Sequence, residues 1–536
     1  MYSRGMRPRL SWLAAACVAG LLGCSERPLP SPDAAVASDA GVDLGGDAGS
    51  PPEAGAHPGV LDWGIPIGTQ PSPSAAGATT VKAVVATDDG GAIVAGSFTG
   101  SVAFAPDAIR DGSPGAGFVA RYRRDGRLVW VQALRADAVG ANDGHLVVAD
   151  MTALGDDEVA VAGWFDGRLA VGGNLPSSDP TSAGGLDVFV ARLAGDGSVR
   201  WMKRAGGPGD DIARGVAAGT DPGGATSIAL TGAIVDGAVF GSGEPAESKA
   251  PAGAGPIFAA RLNGDGLLQW ARFVGGGVPG QGYGVAHDAS GAVAVTGYVN
   301  GAAAFGNDVN GAPVSIDPAM GRAFVARWDV GGRLLWAVPI AGPAGEGDAI
   351  AIAPGGAIVA TGVFEGDVRF GAAASSPRLI ADAPGREGCY LAAFSPLGAT
   401  MWARRFVGVG VRPWRLRASS NGDLLMAASF GGGIVVDPDG ADPLTLLSSE
   451  GTDALFARLS GDGALLWAIA GGGLGDDQGA DFTSASDGVS SSWAVGTYHG
   501  PAAFGEGAAF GAGKAVTLDS GTAGGSFLLR VLAPSP

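Results

Sequence analysis

Residues 258–273, FAARLNGDGLLQWARF, decide how this chain is read. They form two short apolar runs joined by Asp265-Gly266, a pair that favours a tight hairpin turn, and the second run carries Trp270. The segment recurs. FVARYRRDGRLVW begins at Phe118, FVARLAGDGSVRW at Phe189, FVARWDVGGRLLW at Phe324, YLAAFSPLGATMW at Tyr390 and LFARLSGDGALLW at Leu455. A period of this length marks a repeat architecture in which each unit buries its apolar faces against its neighbours.

Working outward, the hairpin is the second half of a four-strand unit. In the third copy, 213–218 (ARGVAA) is strand one, 227–235 (SIALTGAIV) strand two, 258–262 strand three and 267–273 strand four. Strands one and two are joined by short Gly, Asp and Pro turns such as TDPGGAT and TDDGGA, which tolerate positive φ. Strand two carries a further marker of approximate form GxFxGxxxFG, as in AGSFTGSVAF, TGYVNGAAAFG and TGVFEGDVRFG, and it occurs seven times. Strand three also occurs seven times, the last at 527–530 (FLLR). Strand four follows a strand three only six times, at Trp130, Trp201, Trp270, Trp336, Trp402 and Trp467. The missing copy is at the other end of the chain, where 60–68 (VLDWGIPIG) carries Trp63 in phase with the others, whose spacing is 65–71 residues. A repeat split in this way is circular. The expected fold is all-β, a seven-bladed β-propeller of four-stranded blades over residues 60–536, with the N-terminal strand completing the last blade. An open β-solenoid would need no such permutation.

Residues 1–23 precede this fold. Arg4, Arg7 and Arg9 are followed by an apolar run too short to span a bilayer, which ends Leu21-Leu22-Gly23-Cys24. The stretch resembles a bacterial lipoprotein signal. That resemblance implies cleavage before Cys24 and lipid attachment to it, and Ser25 in place of Asp favours the outer membrane, on its periplasmic or surface face. Residues 25–59 are rich in Ala, Asp, Pro, Gly and Ser, too poor in large apolar side chains to fold, and are expected to be a tether of about 30 Å mean span and about 120 Å when stretched. Loss of the three arginines changes the formal charge from −18 to −21. So acidic a chain is unsuited to nucleic acid or to anionic lipid, leaving lipidated Cys24 as the membrane contact and an unknown protein or polysaccharide as partner of an expected monomer. In the mature chain Cys24 is the anchor and Cys389 is alone, so no internal disulfide can form; Cys389 reads as a small buried residue.

The unit as a whole, with its FVARL strand, DG turn, tryptophan strand and GxFxG marker, resembles the bacterial SBBP repeat of exported and cell-surface propellers. The resemblance implies the fold and an extracytoplasmic location, and it implies no common catalytic residues. A weaker likeness is to pyrroloquinoline-quinone-type propeller repeats, whose units are shorter.

Strand parity puts the short turns on one face and the long, variable connections on the other, where binding residues are expected. Several of the inter-unit loops are acidic, with Asp143 after Asn142, Asp211 after Asp210, Glu346 with Asp348, and Asp477 after Asp476 and before Asp481. They either converge on a ring for cations or a basic partner, or cap backbone amides between neighbouring units, the reading preferred. The in-phase tryptophans read as packing residues. Trp414 and Tyr283 are out of phase and are better candidates for a surface contact. The repeated Arg121, Arg192, Arg261, Arg327, Arg458 and Arg530 read as donors between units, a series that Phe394 breaks. His145, His287 and His499 have no metal-ligand spacing, and GxSxG, HExxH and P-loop motifs are absent, so no catalytic residue, metal or cofactor is assigned. The function expected is an anchored binding or scaffolding module. The alternatives are a polysaccharide-directed enzyme, with carboxylates and a His or Tyr converging in one pocket, and a scaffold for envelope assembly.

Overall fold

The computed structural model describes residues 60–69 and 77–533 apart from 172–179, 236, 252–253, 277–278, 318–321, 372, 374, 382–386, 438, 441–442, 486–490, 505–515 and 520–523. The segments expected to be signal peptide and tether, with Cys24, lie outside the described residues. All regular secondary structure that is described is β-strand. The third copy of the repeat forms Ile212–Thr220, Thr226–Ala233, Ala254–Asn263 and Leu268–Gly275, paired antiparallel in that order. Burial explains the sequence pattern of such a unit. Second and third strands such as Glu158–Phe165 and Asp187–Leu193 are buried almost throughout, because both faces of the sheet are covered, and they read as apolar runs without alternation. The outer strand Val199–Ala205 is half-buried and alternates with polar residues.

The split copy is rejoined. Val60–Ile67 pairs antiparallel with Gly525–Leu532, with Ile65 opposite Leu528 and Ile67 opposite Ser526. Leu61 and Ile67 are buried, Trp63 meets Trp493 edge-on at 5.4 Å between ring centroids, and Arg530 donates to Asp62. Innermost strands pack one on the next: Gly77–Ala86 on Leu146–Gly155, then Ile212–Thr220, Gly280–His287, Ala344–Ile352, the second half of Thr400–Ala418, and Gln478–Ser484, which returns to Gly77–Ala86. The sheets therefore stand around a central channel, and the fold is a β-propeller.

One expectation needs correction. The hydrogen-bonded sheets of the described residues are not seven separate four-stranded ones; only two have four strands, three have six and one has nine, beside a two-stranded ribbon. Two physical causes account for this. An outer strand leaves a bare edge, and the long connection of the following unit covers it. Ala303–Asn307 with Pro313–Ile316 lies on Leu268–Gly275, Asp367–Phe370 with Arg378–Ile380 on Leu334–Ala341, and Pro501–Phe504 with Val516–Asp519 on Leu465–Gly473. In addition, Thr400–Ala418 runs unbroken from the outer strand of one unit into the inner strand of the next, fusing the two.

The opening hairpin owes its recurrence to the joint between units. The indole N–H of four outer-strand tryptophans donates to a carbonyl in the turn between strands three and four of the next unit: Trp130 to Gly195, Trp201 to Gly264, Trp270 to Val330 and Trp336 to Pro396, each at 3.0 Å. The strand-three arginine donates to the same carbonyl, Arg121 to Gly195 at 3.0 Å and Arg192 to Gly264 at 2.8 Å. Its other nitrogens meet a carboxylate, as in Arg192 with Glu158 and Arg458 with Asp423. The turn glycine lies flat on the preceding tryptophan. A Cβ on Gly197 would fall 2.9 Å from the Trp130 ring and one on Gly266 2.9 Å from Trp201, and both glycines have positive φ, 84° and 78°. Gly126 packs on Trp63 in the same way, so the N-terminal strand makes the joint its phase demands. The interruption in the arginine series is at Ala393, not Phe394. Ala393 lies opposite Trp402 as Arg192 lies opposite Trp201, and Phe394 takes the buried leucine position one residue on.

Candidate functional site: the mouth of the central channel

Each inner strand carries a bulge near its start, on the side of the long connections. The register shifts between Val81 and Ala83, Val148 and Asp150, Ala213 and Gly215, Gly282 and Gly284, Gly347 and Ala349, Pro413 and Arg415, and Gly479 and Asp481. The extra residues are Lys82, Ala149, Arg214, Tyr283, Asp348, Trp414 and Ala480. Each is partly exposed and follows a buried residue. A bulge re-aims one side chain without disturbing the rest of its strand. Here it turns unlike side chains toward the channel from a scaffold that otherwise repeats.

Four of these residues share one arc of the mouth with their neighbours. The Tyr283 ring lies 5.8 Å from that of Tyr298, tilted by 33°. Arg412 donates to Glu346 at 2.9 Å and to Asp348 at 3.3 Å, and its guanidinium lies 5.4 Å over Trp414. Trp414 donates from Nε1 to Ser429 Oγ at 3.0 Å, and Arg214 lies 5.2 Å over Trp164. Burial, with Glu346 and Asp348 close by, pushes the Tyr283 phenol up. Trp164, Tyr298 and Ser429 all occupy the variable position of the GxF marker, where strand two ends beside the bulge.

Below the mouth, charged groups cross the channel. Arg415 reaches across to Asp150 at 2.9 Å, while Arg417 donates to Asp481 on the adjacent inner strand at 2.6 and 2.9 Å and across to the Met151 carbonyl at 3.3 Å. Each carboxylate also accepts from the backbone of the adjacent inner strand, Asp150 from Val216 N at 2.8 Å and Asp481 from Val84 N at 2.9 Å. Desolvation opposes ionisation of both. At Asp481 the Arg417 guanidinium outweighs it and holds the carboxyl below the usual range, whereas at Asp150 burial prevails and the carboxyl is pushed up.

The acidic loops do not converge. Asp211 accepts from Gly207 N and Val235 N at 2.7 Å, and Asp477 accepts from Gly473 N at 2.7 Å and His499 N at 2.9 Å, so both cap backbone amides. Asp143 is exposed; beside it Asn142 donates to Ser182 and to the Gly184 carbonyl. Asp348, Tyr283 and Trp414 do come together, with Arg412 among them. Among the described residues no group of three or more His, Cys, Asp or Glu is placed to hold a metal. Cys389 is fully buried and its thiol is pushed up to about 12 by desolvation, which makes it inert. Lys82, Arg214, Asp150, Arg412, Arg415 and Arg417 were not singled out by their sequence. Once the ladders align the inner strands as VKAV, VADM, ARGV, GYGV, GDAI, PWRL and GADF, Lys82 and Arg214 fall at the second position, which is Lys, Ala, Arg, Tyr, Asp, Trp or Ala, and Asp150 and Arg415 at the third.

No family model matches this chain, and no match was found among curated proteins. Solved structures that resemble it include a protein of unknown function from Bacteroides caccae, at 12% identity over 66% of this chain and 89% of that one, TM-score 0.30. Another, of unknown function from Dyadobacter fermentans, is 11% identical over 88% of this chain and 99% of that one, TM-score 0.35. The extracellular domain of a hybrid two-component system from B. thetaiotaomicron is 8% identical, covering 88% and 81%, TM-score 0.16. Likenesses at these scores carry no inference about the function of this chain.

Proposed function

We propose that the chain is an exported binding module, lipid-anchored at Cys24, whose propeller is a seven-bladed ring of the SBBP kind. Two observations support seven blades: the inner strands form a closed succession of seven, and the nine-stranded sheet separates at Thr400–Ala418 into two four-strand units with an added hairpin. The binding surface is the channel mouth on the long-connection face. The observation that carries this reading is the ring of bulges. Blade packing needs no Trp, Tyr, Lys, Arg or Asp at those positions, since Ala suffices at 149 and 480. Variation confined to re-aimed, partly exposed positions on a rigid repeat is how a scaffold carries a binding site. Partners in reach of a tethered propeller at the cell envelope are proteins and polysaccharides.

The test uses the domain without signal and tether as bait in extracts and glycans of its host, beside a Trp414→Ala, Tyr283→Ala variant. The variant should retain the wild-type melting temperature and bind its partner about 30-fold less tightly, the loss of roughly 2 kcal/mol typical of a central aromatic. Equal binding by both proteins would remove the mouth from consideration. Cys24→Ala should move the full-length protein from membrane to soluble fractions, and continued sedimentation with membranes would overturn the anchor.

A second reading, an enzyme acting on polysaccharide, has one observation in its favour: Tyr283, Glu346 and Asp348 do meet around Arg412. Against it, both carboxylates are engaged in holding the guanidinium, and a phenol pushed up by burial is a poor base. Chain shortening of a captured polysaccharide by the wild-type domain, abolished in Tyr283→Phe, would favour this reading over simple binding.

A further inference from the structure

Two of the joints between units carry the same buried pair of carboxylates, 266 residues apart. In one, Asp187 opens a third strand and Asp211 precedes the next inner strand; in the other the residues are Asp453 and Asp477. The backbone pattern matches bond for bond. Asp211 N donates to the Leu186 carbonyl and Asp477 N to that of Thr452, both at 2.6 Å, while Leu186 N and Thr452 N donate to Asp210 and Asp476. Oδ2 of Asp187 accepts from Ala183 N at 2.8 Å, and Oδ2 of Asp453 from Ser449 N at 3.0 Å. In both, Oδ1 is buried without a hydrogen-bond partner, in residues 0% and 1% exposed. Both orphan oxygens point at the same place. A Cβ on Gly206 would lie 2.3 Å from Asp187 Oδ1 and 3.0 Å from Asp211 Oδ2; one on Gly472 would lie 2.3 Å from Asp453 Oδ1 and 2.6 Å from Asp477 Oδ2. A glycine at these positions leaves the two carboxylates facing each other.

We infer that each pair holds a proton between its facing oxygens, and that this proton locks the joint between neighbouring units in acid and releases it toward neutral pH. A buried carboxylate oxygen without a donor is costly, and two of them side by side cannot both carry full charge in a site of low polarity. One proton turns the orphan oxygen into a donor and removes half of the charge. Other groups facing the pairs do not substitute for it. Arg204 donates to Asp187 at 2.6 Å but on Oδ2, the side away from Asp211, and Asp210 adds negative charge. At the second pair Asp476 adds negative charge, and the basic side chain in range is His499, whose Nδ1 is bonded to the Asp476 carbonyl. A metal ion is a weaker occupant, since among the described residues no third His, Cys, Asp or Glu completes either pair. Desolvation, helped at Asp211 and Asp477 by the neighbouring carboxylate, pushes Asp211, Asp453 and Asp477 up to about 6.

The sign follows. These groups hold protons more tightly folded than unfolded, so their stabilisation is complete below the ordinary carboxylate value of 3.8 and fades as pH rises through about 6. Melting temperatures of the full propeller should be measured from pH 4.5 to 7.5, with and without 1 mM Ca²⁺, for the wild type and for Asp453→Asn. The amide of the variant can accept from Ser449 N and donate to Asp477, a permanent copy of the protonated pair. The expected result is an unchanged melting temperature at pH 4.5, a higher one than wild type at pH 7.5, and no effect of Ca²⁺ on either protein. A lower melting temperature for Asp453→Asn at pH 7.5 would overturn the shared proton. So would stabilisation by Ca²⁺ that the variant lacks, which would assign the pair to a cation.

Discussion

Deleting residues 60–68 is expected to destabilise the propeller by on the order of 5 kcal/mol or more, measured as the shift in a denaturant midpoint. The strand contributes the buried Leu61 and Ile67 and the edge contact of Trp63 with Trp493. It also supplies one side of the ladder to Gly525–Leu532, whose N–H and C=O groups would otherwise lie bare. Its loss further removes Asp62 from Arg530 and the tryptophan on which Gly126 rests, so the joint to the first unit goes with it. The control is a circular permutant that begins at residue 77 and carries 60–69 after residue 536. Closure by pairing, not by chain order, predicts that the permutant regains the wild-type midpoint. A deletion variant as stable as wild type would show that the ring does not depend on this strand.

What could be read from the sequence follows from how the repeat is held together. Phase alone placed Trp63 with Gly525–Leu532, because a joint made from one Trp, one Arg and one turn Gly repeats its residues from copy to copy, with Ala393 the exception in the arginine series. Asp211 and Asp477 were legible as caps for the same reason, since a local backbone need repeats with the backbone. The merged sheets were less legible. Whether a long connection returns to cover the outer edge of the neighbouring unit depends on tertiary proximity, and nothing in MWARRFVGVGVRPWRLRA announces that one strand will serve two units. The mouth was half legible. Tyr283 and Trp414 stood out by being out of phase, and Asp348 by its charge, but each for a different reason. A bulge is a property of pairing, so the equivalence of those three residues with Lys82, Ala149, Arg214 and Ala480 emerges only when the ladders are laid side by side. The cross-channel pairs were hidden, because Arg415 and Asp150 are 265 residues apart and meet only across the closed ring.

The ion pairs that line the channel carry the second large effect, and Asp481 is the place to probe it. Its side chain is fully buried and accepts from Arg417 and from Val84 N, with Arg415 at 3.8 Å, so Asp481→Ala strands the Arg417 guanidinium and the Val84 amide at once, while Arg415 retains Asp150. Removing one member of a buried ion pair costs about 3–5 kcal/mol, and a loss of that size in a denaturation experiment is expected here. Replacing both partners, as in Asp481→Leu with Arg417→Met, should cost much less, since no buried charge is then left alone and Arg415 keeps Asp150. The pair also has a pH signature opposite to that of the shared-proton joints. Asp481 is held below the ordinary carboxylate range, so its stabilisation is present above pH about 4 and disappears as acid protonates it in the folded protein. Wild type should therefore lose stability below that pH more steeply than Asp481→Asn, which has no carboxylate to protonate. Equal acid limbs for the two proteins, or a single substitution no more costly than the double one, would show that these charges inside the channel do not hold the ring.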